Sequence, residues 1–290
     1  NAAGPWVTDI INTKLQLNFN DNIRLVRGSH IVIPKLYDHD KCYFFQGTDG
    51  RIIFSIPYEY DYTLIGTTDV DHDGIETKPS CSDAERDYII NFASQYFAEK
   101  ISPKDVVWSY SGVRPLYDDD TENASAATRD YVLKLENNNG SAPLLNIFGG
   151  KITTYRKLAE AAITEISIFF PDLGKSWTAN SSLPGGDFPV QDVAKLIKKL
   201  QSEFNFLSET RAKRLFRSYG LNAWELLKGA AKLEDLGEQF GEILTQREVD
   251  YLRQNEFASE VDDIIWRRTK LGLRMSEQNK NRLSEYLKTS

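Results

Sequence analysis

The sequence changes character once, at LPGG (residues 183–186), and that change limits the fold more than any other feature. Ahead of it, residues 23–26, 30–34, 51–57 and 62–67 are short runs rich in Ile, Val, Tyr and Phe. Turn-formers at Gly28-Ser29, Thr48-Asp49-Gly50 and Asp73-Gly74 bound them. Asp49-Gly50 is a hairpin signal, and 130–136 and 144–148 flank a second one at NNNGS (137–141). One helix is expected within the sheet. Ser82 and Glu85 form a capping box, and Ile89, Phe92, Ala93, Tyr96 and Phe97 follow on one face.

Behind LPGG the β-like runs vanish. Helices are predicted over 190–203, 208–218, 222–230, 245–256, 260–273 and 276–288, with Ser208 and the Thr245–Glu248 capping box at two of the starts. The charge shifts as well: residues 187–290 hold 18 basic and 17 acidic groups, against 17 and 25 in 1–186. The chain is therefore expected to form two units, an α+β unit over 1–186 and a small all-α unit over 187–290.

A net charge of −7 argues against a general nucleic-acid binder. Cys42 and Cys81 have no CxxC spacing, which points to a reducing compartment. No apolar run approaches the ~18 residues that span a bilayer, and the first twenty residues lack a signal-peptide pattern. The sequons at Asn123, Asn139 and Asn180 are accordingly expected to be unused. Met275 is the sole methionine and Asn1 opens the chain, so a trimmed N-terminus or a piece of a longer chain is expected.

The strongest local signal is FGGKITTYRK (148–157), a buried strand running through Gly149-Gly150 into a helix that starts near Thr153 or Thr154. Two glycines allow close backbone approach, and a helix N-terminus favours a negative group, with Lys151 adding a full charge. A plain strand–helix turn with a capping Thr reads the same way. In SGVRPL (111–116), Arg114 follows a strand expected over 106–110. Pro115 keeps it extended, suiting its planar fork to a phosphate or carboxylate, or to an Asp of 118–120. Arg129 is a similar candidate. His30 opens a strand and could accept a proton or be a hydrogen-bonded structural group, while His39 and His72 read as exposed loop residues. DVDHDG (69–74) imitates half a calcium loop, but Ser80 stands where the bidentate Glu belongs, so no metal site is expected. Arg267, Arg268 and Lys270 could meet an anionic surface or form a salt-bridged helix face.

Taken in order, NAAGPW (1–6), GSH (28–30), IGTTD (65–69), SGVRPL (111–116), FGGKITTYRK (148–157) and WRRTK (266–270) resemble the FAD-dependent glycerol-3-phosphate dehydrogenases of the respiratory, quinone-linked kind. The glycine/D-amino-acid oxidase superfamily shares weaker versions. The resemblance implies a mixed, largely antiparallel substrate-binding sheet with a second flavin-contacting loop, then a helical domain. It implies oxidation of sn-glycerol 3-phosphate to dihydroxyacetone phosphate by hydride transfer to FAD, with electrons passed to quinone. It also implies a cytoplasmic enzyme held peripherally at an anionic membrane, and leaves a homodimer open. His30 and Arg114 are then expected to be catalytic, His30 as acid/base or orienting group, with Arg114, Arg129 and Lys151 at the substrate and Gly4, Pro5, Gly149, Gly150, Lys151, Ile152 and Thr153 at the cofactor. The family's Gly-x-Gly-x-x-Gly unit is missing, so a C-terminal portion that is inactive alone is expected. An O2-using glycerophosphate oxidase, or a non-catalytic folded domain, are the alternatives.

Overall fold

The computed structural model describes residues 1–17, 22–48, 50–118, 128–136 and 142–289. Two compact units divide it, Asn1–Ala179 and Asn180–Ser290. The LPGG turn lies inside the second: the Leu221 amide donates to the Gly185 carbonyl at 2.9 Å. A Cβ on Gly185, whose φ is +77°, would sit 2.3 Å from the Tyr219 carbonyl oxygen. The Asn123 and Asn139 sequons and the NNNGS turn fall outside the described residues, as does Asp49.

The first unit is built on the long strand β1 (Ile23–Pro34). Further strands are β2 (Tyr43–Gln46), β3 (Ile52–Tyr58), β4 (Tyr62–Gly66), β5 (Val70–Asp71) and β6 (Trp108–Tyr117). They form one antiparallel sheet in the order β2-β3-β4-β1-β5, with β6 pairing along β1 as well. Gly28-Ser29 is therefore no turn: β1 runs straight through it, pairing Gly28 with Gly112 and Ser29 with Ser111. Arg114, too, lies within a strand instead of at its end, opposite Val26. Pro115 is tolerated there because, among the described strands, β6 pairs with β1 alone and so keeps a free edge for a residue without an N–H.

Alternation along β1 sorts the two faces. Ile31 and Ile33, with Ile53 of β3 and Ile65 of β4, bury against Ile89, Ile90, Phe92 and Ala93. Those four lie on helix α2 (Asp83–Ala93), which follows the short α1 (Val7–Asp9) in the chain. Its capping box forms as the sequence predicts. His30 lies on the opposite face, in a row that runs in register through Phe44, Phe54, Gly66, His30 and Tyr110.

A second hairpin pairs β7 (Val132–Glu136) with β8 (Leu144–Phe148). The chain start is tied to it: Asn1 donates from its amino group to the Leu145 carbonyl at 2.8 Å, and its own carbonyl accepts from the Ile147 amide at 3.0 Å. Val7 and Ile11 pack on Phe148. After β8, Gly149 and Gly150 take φ of +69° and +102°. A single 3-10 turn over Ile152–Thr154 then leads into α3 (Tyr155–Ile166).

The second unit holds α4 (Val193–Glu203), α5 (Glu209–Tyr219), α6 (Asn222–Leu227), α7 (Gln246–Glu256) and α8 (Glu277–Thr289) around Leu200, Phe216, Leu227, Phe240, Leu252, Ile264 and Leu283. It is not wholly helical, since β9 (Gln239–Phe240) and β10 (Leu244–Thr245) make a minimal hairpin. Ser208 caps α5 by accepting from the Arg211 amide. Thr245 makes no side-chain cap on α7. Glu248 instead turns inward, accepting from Arg214 at 2.6 and 2.7 Å and from the Tyr219 hydroxyl at 2.7 Å. Desolvation decides this: a carboxylate 1% exposed needs a cation and donors more than the helix end needs a cap. The basic residues of WRRTK have internal partners. Arg267 pairs with Asp263 at 2.8 Å, Arg268 donates to the Glu256 carbonyl and Lys270 to the Arg267 carbonyl. Among the described residues no helix is long and apolar enough to cross a membrane.

Candidate active site

His30 and Arg114 share one face of the sheet because both occupy alternate positions on it, His30 on β1 and Arg114 opposite Val26 on β6. Each side chain lies flat over a glycine. A Cβ on Gly66 would meet the His30 ring at 2.4 Å, and one on Gly28 would meet the Arg114 guanidinium at 2.3 Å. These two glycines are floor positions, a role that glycine inside a strand often marks. Tyr110 stacks on the His30 ring with centroids 5.0 Å apart and planes within 4°.

The arginines converge on one carboxylate. Arg114 Nη1 donates to Asp69 Oδ1 at 3.0 Å, and Arg129 Nη2 to both Asp69 oxygens at 3.2 Å. Arg114 Nη2 also donates to Thr67 Oγ1 at 3.2 Å. The acidic partner of Arg114 is thus Asp69, within the half-calcium-loop segment; Asp119 and Asp120 lie outside the described residues. No group of His, Cys, Asp and Glu among the described residues could hold a metal ion. Asp71 pairs instead with Arg24. His72, expected to be exposed, is buried, and its Nε2 bonds the Thr77 carbonyl at 2.9 Å. His39 is exposed, as expected.

Burial, and then the Arg114 cation, push the His30 imidazole down to about 4. It is therefore neutral near pH 7 and able to accept a hydrogen bond or a proton. Its Nδ1 is buried with no hydrogen-bond partner among the described residues.

A charged hub lies beneath, on the helix side of the sheet. Glu85 of α2 accepts from Arg27 at 2.8 Å, from Ser29 Oγ at 2.7 Å, from Thr68 Oγ1 at 2.8 Å and from the Ser82 amide at 3.1 Å. Burial alone would raise its carboxyl, but these donors outweigh it and hold the group at about 2. Thr68 Oγ1 also accepts from the Ser29 amide at 2.9 Å, so the segment carrying Thr67 and Asp69 is pinned through the sheet.

The turn after β8 abuts the same region. A Cβ on Gly149 would lie 2.9 Å from the Asp130 carbonyl, so packing requires that glycine, while Gly150 is held to glycine by its φ of +102°. Lys151 pairs with Asp130 at 3.7 Å, next in sequence to Arg129. Thr154 does not cap α3; its hydroxyl donates back to the Lys151 carbonyl at 3.0 Å. Ile152 is 88% exposed, and Thr153 is exposed beside it. Gly4, with φ of +56°, and Pro5 open the turn preceding α1, and Gly4 faces Pro115 next to Arg114. Sequence reasoning gave Asp69, Thr67, Tyr110, Gly28 and Gly66 no place in the site; Gly28 reads as a turn-former and Asp69 as part of a solvated turn. The usable signal was glycine at interior positions of otherwise apolar strands.

Comparison with known proteins places this geometry. The "FAD dependent oxidoreductase" family model matches residues 1–156, and the "C-terminal domain of alpha-glycerophosphate oxidase" model matches 176–289. A glycerol-3-phosphate dehydrogenase of Pseudomonas aeruginosa is 45% identical over 100% of the chain and 56% of its own length. A D-erythritol 1-phosphate dehydrogenase of Brucella abortus is 42% identical over 99% of the chain and 56% of its own. The solved structure of the glycerol-3-phosphate dehydrogenase from Bacillus halodurans, complexed with FAD, superposes with a TM-score of 0.78 at 25% identity, covering 100% of this chain and 60% of that one. The chain thus spans little more than half the length of the curated relatives it matches. With the His30, Arg114 and Arg129 face lying inside the matched 1–156 segment, the chain belongs to the FAD dependent oxidoreductase family.

Proposed function

We propose that the enzyme to which this chain belongs oxidises sn-glycerol 3-phosphate to dihydroxyacetone phosphate, and that this chain supplies the substrate-binding half. The observation behind the reading is the convergence of Arg114 and Arg129 on one point beside a neutral, half-buried His30. Two guanidiniums suit a phosphate dianion through paired, charge-assisted hydrogen bonds.

Arg114 and Arg129 bind the phosphate, with Lys151 adding a third cation at the Asp130 side. The polyol then extends toward His30, which accepts the C2 hydroxyl proton or orients that hydroxyl. Neutrality is what permits this, since an imidazolium could only donate. A phosphate on Arg114 also offsets the cation that depresses His30, raising its proton affinity when substrate is present.

The residues of this chain fit FAD. The N-terminal turn of α3 presents an apolar side chain, Ile152, at the positive end of a helix dipole, a surface suited to a flavin ring that gains negative charge. Gly4, Pro5, Gly149, Gly150, Lys151, Ile152 and Thr153 are the residues that would hold it. When bound, FAD supplies the hydride acceptor. Onward transfer to a quinone, at a membrane met peripherally, belongs to the same proposal and rests on the ordered motifs.

The relative named D-erythritol 1-phosphate dehydrogenase favours a second reading, a polyol phosphate one carbon longer on the same phosphate clamp. The test is to mix the complete, FAD-loaded enzyme anaerobically with sn-glycerol 3-phosphate, D-erythritol 1-phosphate or glycerol. Loss of the blue flavin band is expected with a phosphorylated polyol and not with glycerol. Equal bleaching by glycerol would refute the phosphate clamp, and the better phosphate ester decides between the two readings.

A further inference from the structure

We propose that Asp69 is a positioning residue that fastens Arg114 and Arg129 into a single phosphate-binding unit. The inference rests on the reading of this face as the phosphate site and adds a residue to it. Arg114 belongs to β6, whereas Arg129 lies on the segment leading into β7, so no ladder hydrogen bond fixes one relative to the other. Their like charges repel. A carboxylate between them reverses the sign of the local interaction, and Asp69 is placed to do so, with one oxygen accepting from both arginines and the other from Arg129.

Three features make Asp69 a fixed point. Its side chain is only 19% exposed, which strengthens its ion pairs relative to surface ones. Its neighbour Thr68 is 3% exposed and bonded on both sides, accepting from the Ser29 amide and donating to Glu85. Thr67 gives Arg114 a second acceptor from the same segment. Asp69 engages one nitrogen of each guanidinium, and a guanidinium has five N–H donors, so bridging does not exhaust either arginine. A clamp prearranged in this way binds its anion without first gathering two repelling cations.

The alternative arrangement is that Asp69 competes with the phosphate for the same donors, and it makes the opposite prediction. The test uses Asp69→Asn, Asp69→Glu and Thr67→Val in the complete, FAD-loaded enzyme. Two readouts are taken: KM and kcat for sn-glycerol 3-phosphate, and the affinity for inorganic phosphate by isothermal titration calorimetry. Asp69→Asn should raise KM about ten-fold or more with kcat changed less than about three-fold, and weaken inorganic phosphate by a similar factor. Asp69→Glu should recover part of the loss, and Thr67→Val should raise KM about three-fold. Should Asp69→Asn fail to fold, Thr67→Val and Asp69→Glu decide.

Tighter phosphate binding in Asp69→Asn would overturn the proposal in favour of competition. Unchanged KM and phosphate affinity in Asp69→Asn, alongside their loss in Arg114→Ala, would overturn it while sparing the reading of the site. If Arg114→Ala binds phosphate normally as well, the reading itself falls.

Discussion

At Gly28 and Gly66 a missing side chain decides where two functional groups can lie. The Arg114 guanidinium and the His30 ring occupy the space a Cβ would need, at 2.3 and 2.4 Å. In Gly28→Ala the obstructed atoms are the far end of a flexible side chain, so the fold should yield cheaply while the guanidinium loses its place. The expected outcome is a KM for sn-glycerol 3-phosphate raised about ten-fold, equal to about 1.4 kcal/mol, with an almost unchanged unfolding midpoint. Steady-state kinetics and a urea melt of the same preparation check it; an unchanged KM would mean that Arg114 does not need this position. Candidate residues were legible in the sequence as residue types: His30 and Arg114 stood out by rarity and by context. Their juxtaposition was not, because Gly28 beside Ser29 looks like a turn until the ten-residue pairing of β1 with β6 is known. Asp69 was hidden for a related reason, since an acidic, glycine-ended run reads as a solvated turn when its arginine partners are 45 and 60 residues away.

Among the elements, β1 and α2 do the organising. One face of β1 presents His30; the other rests on α2, where Glu85 gathers Arg27, Ser29, Thr68 and Ser82. The sequence predicted Glu85 as half of a capping box, and it fills that role. That the same carboxylate would also anchor three residues beneath the site could not be read from local spacing. Glu85→Ala leaves Arg27 without its buried partner and should cost about 3 kcal/mol, seen as a lower urea midpoint.

Two groups around the site contribute to the pH dependence of stability. Glu85 sits at about 2 in the fold against an ordinary 4.5, so as pH falls the unfolded chain takes up the proton first. Its stabilisation is complete above pH 4.5 and drains away toward pH 2. His30 sits at about 4 against 6.5, so the unfolded chain again binds the proton first, and stability falls between pH 6.5 and 4. Urea midpoints measured against pH should therefore decline on acidification through both windows. His30→Gln should flatten the upper one and Glu85→Gln the lower; an unchanged slope in either variant would contradict the corresponding assignment.

At the scale of the whole molecule, two units and their classes were legible because periodicity of two and of 3.6 differ over many residues. The structure divides at Ala179/Asn180, ahead of the boundary expected at 186, and the small β9–β10 hairpin interrupts the helical part. A two-residue strand is too short to leave a periodic signal. Thr245 and Glu248 show a further limit: the spacing of a capping box is necessary for one, but the half-buried Arg214 and the buried Tyr219 claim the carboxylate. Burial of distant partners, which no local window contains, accounts for each such departure.

Receipt of the polyol phosphate by the His30, Arg114 and Arg129 face is the step on which the proposed function depends. It is tested most directly by anaerobic titration of the complete, FAD-loaded enzyme and its Arg114→Ala variant with sn-glycerol 3-phosphate, following loss of the blue flavin band. Removing the guanidinium deletes charged hydrogen bonds worth about 1.5–3 kcal/mol, so the half-bleaching concentration should rise about 10- to 100-fold. A variant that bleaches at the wild-type concentration would place the phosphate elsewhere and contradict the account.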